Sequence, residues 1–151
     1  MSLQDELASV ASFVASVVPG AQVKYDVPTQ PVAANLVVRA ITNDFESETR
    51  YHYRIDRAYQ IVAYGADALA VTTKMDAISR KVMDGKTAIP IAGTQRYIRV
   101  NGFNFGAPFK TESGLSACIG VLQTEVREAR TQEEYEKIWH VYYRNTIRVP
   151  L

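Results

Sequence analysis

Apolar residues recur in two rhythms along this chain, and the switches between them divide it into elements. Leu3, Leu7, Val10, Val14, Val17 and Val18 follow at steps of 4, 3, 4, 3 and 1, which lays one stripe along an α-helix. Ser2 is placed to cap this helix and Pro19-Gly20 to end it. Ser9, Ser12 and Ser16 fall towards the other side, and a back of Ala and Ser suits contact with another subunit better than contact with water alone. A second helical stripe, Val71, Met75, Ile78 and Val82, starts after the capping residue Asp67 and stops before Gly85. Lys74, Arg80 and Lys81 lie off that stripe, and the last two suit a helix C-terminus.

Between and after the helices the rhythm changes to period 2. Val23 and Tyr25 open a short strand, residues 28–31 interrupt it with two prolines, and residues 35–42 carry the β-favouring run LVVRAIT. Residues 43–48 read as a polar turn or loop. Residues 49–65 then alternate, with Tyr51, Tyr53, Ile55, Arg57, Tyr59, Ile61 and Ala63 on one face and Arg50, His52, Arg54 and Asp56 on the other. That run predicts one long strand, or two broken near Asp56. Further strands are expected over residues 95–103 and 114–130, separated by an apolar Gly, Asn and Phe loop, NGFNFGAPFKTESG.

After Arg130 both rhythms are present. Thr131 and Glu134 make a capping box, while Trp139, Val141, Tyr143, Asn145, Ile147 and Val149 alternate with His140, Tyr142, Arg144, Thr146 and Arg148. The expectation is a short helix over 132–138 followed by a strand. The whole order of elements predicts a single α+β domain over residues 1–151, with a mainly antiparallel mixed sheet and helices packed on one face.

Composition narrows the classes of function. A chain of 151 residues fits one domain. With 17 Lys and Arg against 16 Asp and Glu, it lacks the basic excess of a dedicated duplex-DNA binder. Cys118 is a lone cysteine in an apolar run, so it reads as a buried, inert thiol. No stretch of 18 apolar residues predicts a membrane span. Asp5 and Glu6 stand where a signal peptide would carry basic residues, and a cytoplasmic site of synthesis is expected.

Motifs for catalysis are scarce. His52 and His140 have no nucleophile motif beside them, and no CxxC, HxH or HxxxH spacing suggests a metal. There is no phosphate-binding glycine loop. Asp44, Glu46 and Glu48 read as solvated loop charges. No catalytic residue, cofactor or metal site is therefore expected, and the chain is expected not to be an enzyme.

The feature that stands out is aromatic residues interleaved with arginine. Tyr51, His52, Tyr53, Arg54 and Arg57 form one cluster, Arg96, Tyr97 and Arg99 a second, and Tyr142, Tyr143, Arg144 and Arg148 a third. Such a mixture fits three roles: stacking on single-stranded nucleic acid, a protein interface, or plain sheet packing with snorkelling arginines.

One resemblance bears on that choice. The N-terminal apolar helix, the Pro-broken segment, RAYQIVAYG running into ALAVTTKMDAISRKVMDG, then RYIRVNGF and LSACIGVLQTEVREAR, resembles in order and texture the tail-terminator (tail-completion) proteins of long-tailed bacteriophages, some labelled minor capsid proteins. The likeness spans residues 3 to about 130 and includes no catalytic motif.

The resemblance implies a small α+β subunit of a hexameric ring on the head-proximal end of the tail tube. Such a ring ends tube growth and offers the head connector a joining surface. Implied partners are copies of the chain itself, the tail-tube protein and a head-completion or connector protein, with DNA only as passing cargo and no membrane. The implied location is the virion's tail-head junction, with the host cytoplasm as the site of assembly. Interface candidates are Tyr51, Tyr53, Arg54, Arg57, Trp139, Tyr142 and Arg144, with Phe103, Phe105 and Phe109 as anchors of a loop arm. Another neck or tail component, such as a head-completion or tail-tube protein, and a single-stranded nucleic-acid binding module are the other readings.

Overall fold

A computed structural model describes residues 2–85 and 87–132. Helix α1 (Leu3–Val17) begins where Ser2 and Asp5 cap each other's backbone, and it ends at Val18, followed by Gly20 with φ +73°. Helix α2 (Ala68–Met83) starts on Asp67, whose carboxylate accepts from the Ala70 amide at 2.8 Å. Gly85, just past its end, has φ +74°.

The strands are β1 (Gln22–Lys24), β2 (Asn35–Ser47), β3 (His52–Gly65), β4 (Ala88–Pro90), β5 (Tyr97–Phe105), β6 (Phe109–Lys110) and β7 (Ser116–Ala129). They form one seven-stranded sheet in the order β1-β2-β3-β7-β5-β4, with β6 also on β7. Only β1 and β2 run parallel; every other neighbouring pair is antiparallel. The fold class is α+β with both helices on one face of the sheet, as the periodicity predicts.

One apolar cluster joins the layers. Val10, Val14 and Val18 of the α1 stripe and Val71, Met75, Ile78 and Val82 of the α2 stripe close over Leu36, Val38, Tyr59, Ile61, Ala63, Cys118 and Leu122. Cys118 lies within it, its thiol pushed above the ordinary range by burial. Lys74 leaves the α2 stripe to donate to the carbonyls of Tyr64 (2.7 Å) and Ala33 (2.9 Å), so it ties α2 to the end of β3 and to the loop before β2. Partial burial lowers its pKa.

Two expectations fail for one reason. Residues 43–47 continue β2 instead of forming a loop, and β5 runs through residues 101–105, past the expected strand end at Phe103, instead of opening an arm at Asn101. In β2 the partners step from Ala40/Tyr59 to Thr42/Ala58, which makes Ile41 an extra residue. In β5 they step from Val100/Thr124 to Gly102/Gln123, which does the same for Asn101. Each bulge shifts the inward positions from even to odd numbers, so a period-2 pattern breaks although the strand continues.

Of the two readings of residues 49–65, the single strand holds: β3 runs without a break near Asp56. One smaller correction follows from the packing. Ser9 is buried within its own chain and does not lie on the small-residue back expected to suit another subunit: its hydroxyl donates to the Asp5 carbonyl (2.8 Å) and accepts from the Ala92 amide (3.2 Å). The expected helix and strand after Arg130 lie outside the described residues.

Candidate functional site

The sheet reaches past the helices at one end, where the β2-β3 turn meets the end of β7. On the helix-side face of this tip, Phe45 is 64% exposed and stacks on Tyr53, ring centroids 6.2 Å apart. The Arg57 guanidinium lies 5.8 Å from the Phe45 ring and that of Arg130 lies 5.7 Å from the Tyr53 ring. Tyr51 in the turn is 60% exposed, with Arg50 against its ring. Arg130 also binds the turn itself, donating to the Thr49 carbonyl (2.8 Å) and the Ser47 hydroxyl (2.6 Å).

The opposite face of the same region carries a lattice of charge across four strands. Arg54 pairs with Glu46, with Glu48 at 3.5 Å and with Asp56 at 3.0 Å. Arg127 pairs with Glu48 at 2.9 Å and Glu125 at 3.1 Å, and Arg99 reaches Glu125 at 3.9 Å. Arg54 sits directly opposite Arg127 in the β3-β7 register, and Asp56 directly opposite Glu125. Each like-charged row is tolerated because the neighbouring row, two residues along the strand, has the opposite sign. The Arg127 hydrogen bond holds the Glu48 carboxyl below its usual range. Its interaction with Glu48, followed by that with Glu125, moves the Arg127 guanidinium up.

The sequence-derived candidates divide among different environments. Tyr51 and Tyr53 belong to the tip patch, and Arg54 to the charge lattice on the other face. Arg57 is buried at 6% exposure and bound to Glu6, so it is not a surface contact as expected. Its position on the Ile55 and Tyr59 face was legible, but the carboxylate that neutralises it there was not. Phe103 and Phe105 are partly buried and pack against the main core, which corrects their reading as anchors of a free arm. Phe109 is 46% exposed on β6. Trp139, Tyr142 and Arg144 lie outside the described residues.

Several contributors were not singled out from sequence, namely Phe45, Arg130, Glu125 and Arg127, and Glu48 was read as a solvated loop charge although it pairs with Arg54 and Arg127. Phe45 and Glu48 stand in or beside a segment that reads as a loop until the Ile41 bulge is known. Glu125 and Arg127 do alternate along β7, and the outward period-2 positions of that strand were the available signal.

Exposed aromatics also occur on the far side of the sheet, with Tyr97 of β5 at 61% besides Phe109. A surface groove of about 770 Å³ lies between the C-terminal ends of the two helices, lined by Ser16, Val17, Ala77, Arg80, Lys81, Met83 and Asp84. It brings together no acid-base pair around a nucleophile. Among the described residues, no three His, Cys, Asp or Glu side chains are grouped to hold a metal, and no helix is long and apolar enough to cross a membrane.

No family model and no curated protein matches the sequence. A solved structure whose name describes no function superposes with a TM-score of 0.46 at 15% identity, over 89% of this chain and 99% of its own. A likeness at that level carries no argument about activity or partners.

Proposed function

We propose that this chain is a structural subunit of a long-tailed phage particle. It forms a ring with copies of itself at the head-proximal end of the tail tube, ends tube growth and joins the tube to the head. The observation that carries this reading is the placement of exposed aromatics on two separate parts of the surface: Phe45 and Tyr51 on the β2 side of the sheet, and Tyr97 on the β5 side, beyond β7. A closed ring is built from heterologous contacts, so each subunit needs two different patches. Tyr, Phe and Arg are also the side chains that concentrate binding energy at interfaces.

The state of the arginines favours a protein partner over single-stranded nucleic acid. Arg54, Arg57, Arg96 and Arg99 each face a carboxylate of this chain, from Glu46, Glu6, Glu128 and Glu125 respectively. Backbone phosphates are bound by guanidinium groups free to exchange their counterions; Arg54, Arg57 and Arg96 are already held by carboxylates at 3.2 Å or less, and only Arg99, at 3.9 Å, is loosely engaged.

The test is the size of the purified protein by light scattering and its appearance in negative stain, alone and with tail tubes. Rings support the reading; a monomer under every condition, tubes included, overturns it. Removing the gene from a phage separates a terminator from another neck or tail component, because only loss of a terminator yields overlong tails.

A further inference from the structure

The outer edge of β2 is open over most of its length. β1 pairs only with Asn35, Leu36 and Val37, and among the described residues no strand pairs with the outer edge over residues 41–47. All seven of those residues are exposed. ITNDFES contains no Lys or Pro to blunt the edge; beyond the bulge at Ile41 its only charges are the acidic Asp44 and Glu46, which bar an acidic strand and admit a basic one. Its two faces differ. Asp44 and Glu46 lie on the charged side, where Glu46 meets Arg54 and Asp44 has no partner among the described residues. Phe45 lies on the helix side against Tyr53.

We propose that this edge accepts a strand, and that its occupant is residues 139–149 of the same molecule. Three observations converge on that segment. The first is where the chain goes: the Arg130 amide donates to the Tyr51 carbonyl at 2.8 Å and the Gln132 side chain reaches the Arg50 carbonyl at 3.4 Å, so the chain leaves β7 beside the β2-β3 turn. The second is reach. Passing β3 and β2 to a new outer position takes three strand spacings, about 14 Å, and seven residues from Gln132 to Trp139 span up to about 23 Å when extended. The third is chemistry. The segment alternates Trp139, Val141, Tyr143 and Ile147 with His140, Tyr142, Arg144 and Arg148, and it contains no carboxylate. Antiparallel to β2, its basic face lies beside Asp44 and Glu46 and its apolar face beside Phe45. Tethering favours the molecule's own segment over a neighbour's, because so short a linker gives it a high effective concentration. The inference does not depend on the assembly reading.

Hydrogen exchange followed by mass spectrometry tests it on the full chain, diluted until light scattering finds no assembly. Those amides of residues 41–47 that do not bond to β3 are protected in the wild type. They exchange at least tenfold faster when Tyr143→Pro and Ile147→Pro remove the segment's ladder bonds, while β3 and β7 are unchanged. Trp139, the single tryptophan, shifts its emission to the red in the same variant. Should the proline variant fail to fold, Arg144→Glu with Arg148→Glu produces the same loss of protection, and Asp44→Lys with Glu46→Lys restores it. An unprotected edge in the wild type, protection indifferent to both sets of changes, or protection that appears only at concentrations where molecules associate overturns the proposal.

Discussion

The carboxylate of Glu6 on α1 and the guanidinium of Arg57 in the middle of β3 meet 3.0 Å apart inside the protein, with 1% and 7% of their side chains exposed. Arg57 also donates to the Asn43 side chain at 2.7 Å, and its own carbonyl accepts from the Thr124 hydroxyl at 3.0 Å. One residue thus links α1, β2, β3 and β7 at the point where the sheet begins to extend beyond the helices. Beside the pair, the buried Tyr59 hydroxyl has no hydrogen-bond partner among the described residues, and burial raises its pKa.

Breaking the pair from one side is expected to be costly. Arg57→Met leaves a buried carboxylate without its cation, and such losses run to about 3–5 kcal/mol. Glu6→Leu combined with Arg57→Met removes both charges and is expected to recover most of that loss. Urea unfolding of the two single variants and the double variant checks this; additive losses would sink the claim that the residues act as a pair.

The position of Arg57 was legible in the sequence and its environment was not. Strict alternation places it on the face of Ile55 and Tyr59, and that face is the core. What no local pattern carries is that Glu6, on a helix whose apolar stripe omits it, arrives opposite. The two bulges mark the same boundary on a larger scale. Helix stripes and caps depend on residues within one or two turns, and Ser2, Asp67, Gly85, the α2 stripe and the Val10, Val14 and Val18 part of the α1 stripe read correctly, while Leu3 is exposed. The extra residues at Ile41 and Asn101 are defined only by the partner strand, so the segments beyond them looked like loops. The tip patch inherits that blindness through Phe45, and the charge lattice through Glu46 and Glu48.

Close packing makes a second stability prediction at Gly120 on β7. A Cβ placed there would lie 2.5 Å from Met75 Cε and 2.7 Å from Phe103 Cζ. Both atoms are the far ends of side chains, but Met75 is fully buried, so its terminal methyl and the Phe103 ring must find new positions inside a packed core. Gly120→Val is expected to cost about 1–3 kcal/mol. Pairing Gly120→Ala with Phe103→Leu frees space on one side and should be milder than Gly120→Ala alone in thermal unfolding.

Tyr51 and Tyr97 give the opposite kind of outcome. Both are about three-fifths exposed, at 60% and 61%, on different sides of the sheet. Tyr51→Asp and Tyr97→Asp should therefore each shift stability by no more than about 0.5 kcal/mol. If the two patches join neighbouring subunits, either change weakens self-association at least tenfold by sedimentation. A mixture of the two variants fares better than either alone, because it retains one intact interface per pair. Wild-type association by both variants would remove these tyrosines from the interface.

Two carboxylates, Glu6 buried under α1 and Glu48 in the charge lattice of the tip, should titrate in opposite senses. Burial raises the pKa of Glu6 above its ordinary 4.5, against the lowering effect of Arg57. Folded Glu6 therefore binds its proton more tightly than the unfolded chain does. Its contribution is complete below the unfolded pKa and declines as pH rises through the folded one. Glu48 is the reverse: the Arg127 hydrogen bond lowers its pKa, so its contribution is present above about 4.5 and is lost as pH falls through the folded value. Measured against Glu6→Gln, the wild type should gain stability as pH falls from 7 towards 4. Measured against Glu48→Gln, it should lose stability over a lower range. Added salt should shrink the Glu48 difference, because that carboxylate is screened at the surface, and leave the Glu6 difference nearly unchanged. Urea midpoints of the three proteins across pH 3–7 at two salt concentrations separate the cases, and parallel pH profiles for both comparisons would contradict the assignment of opposite shifts.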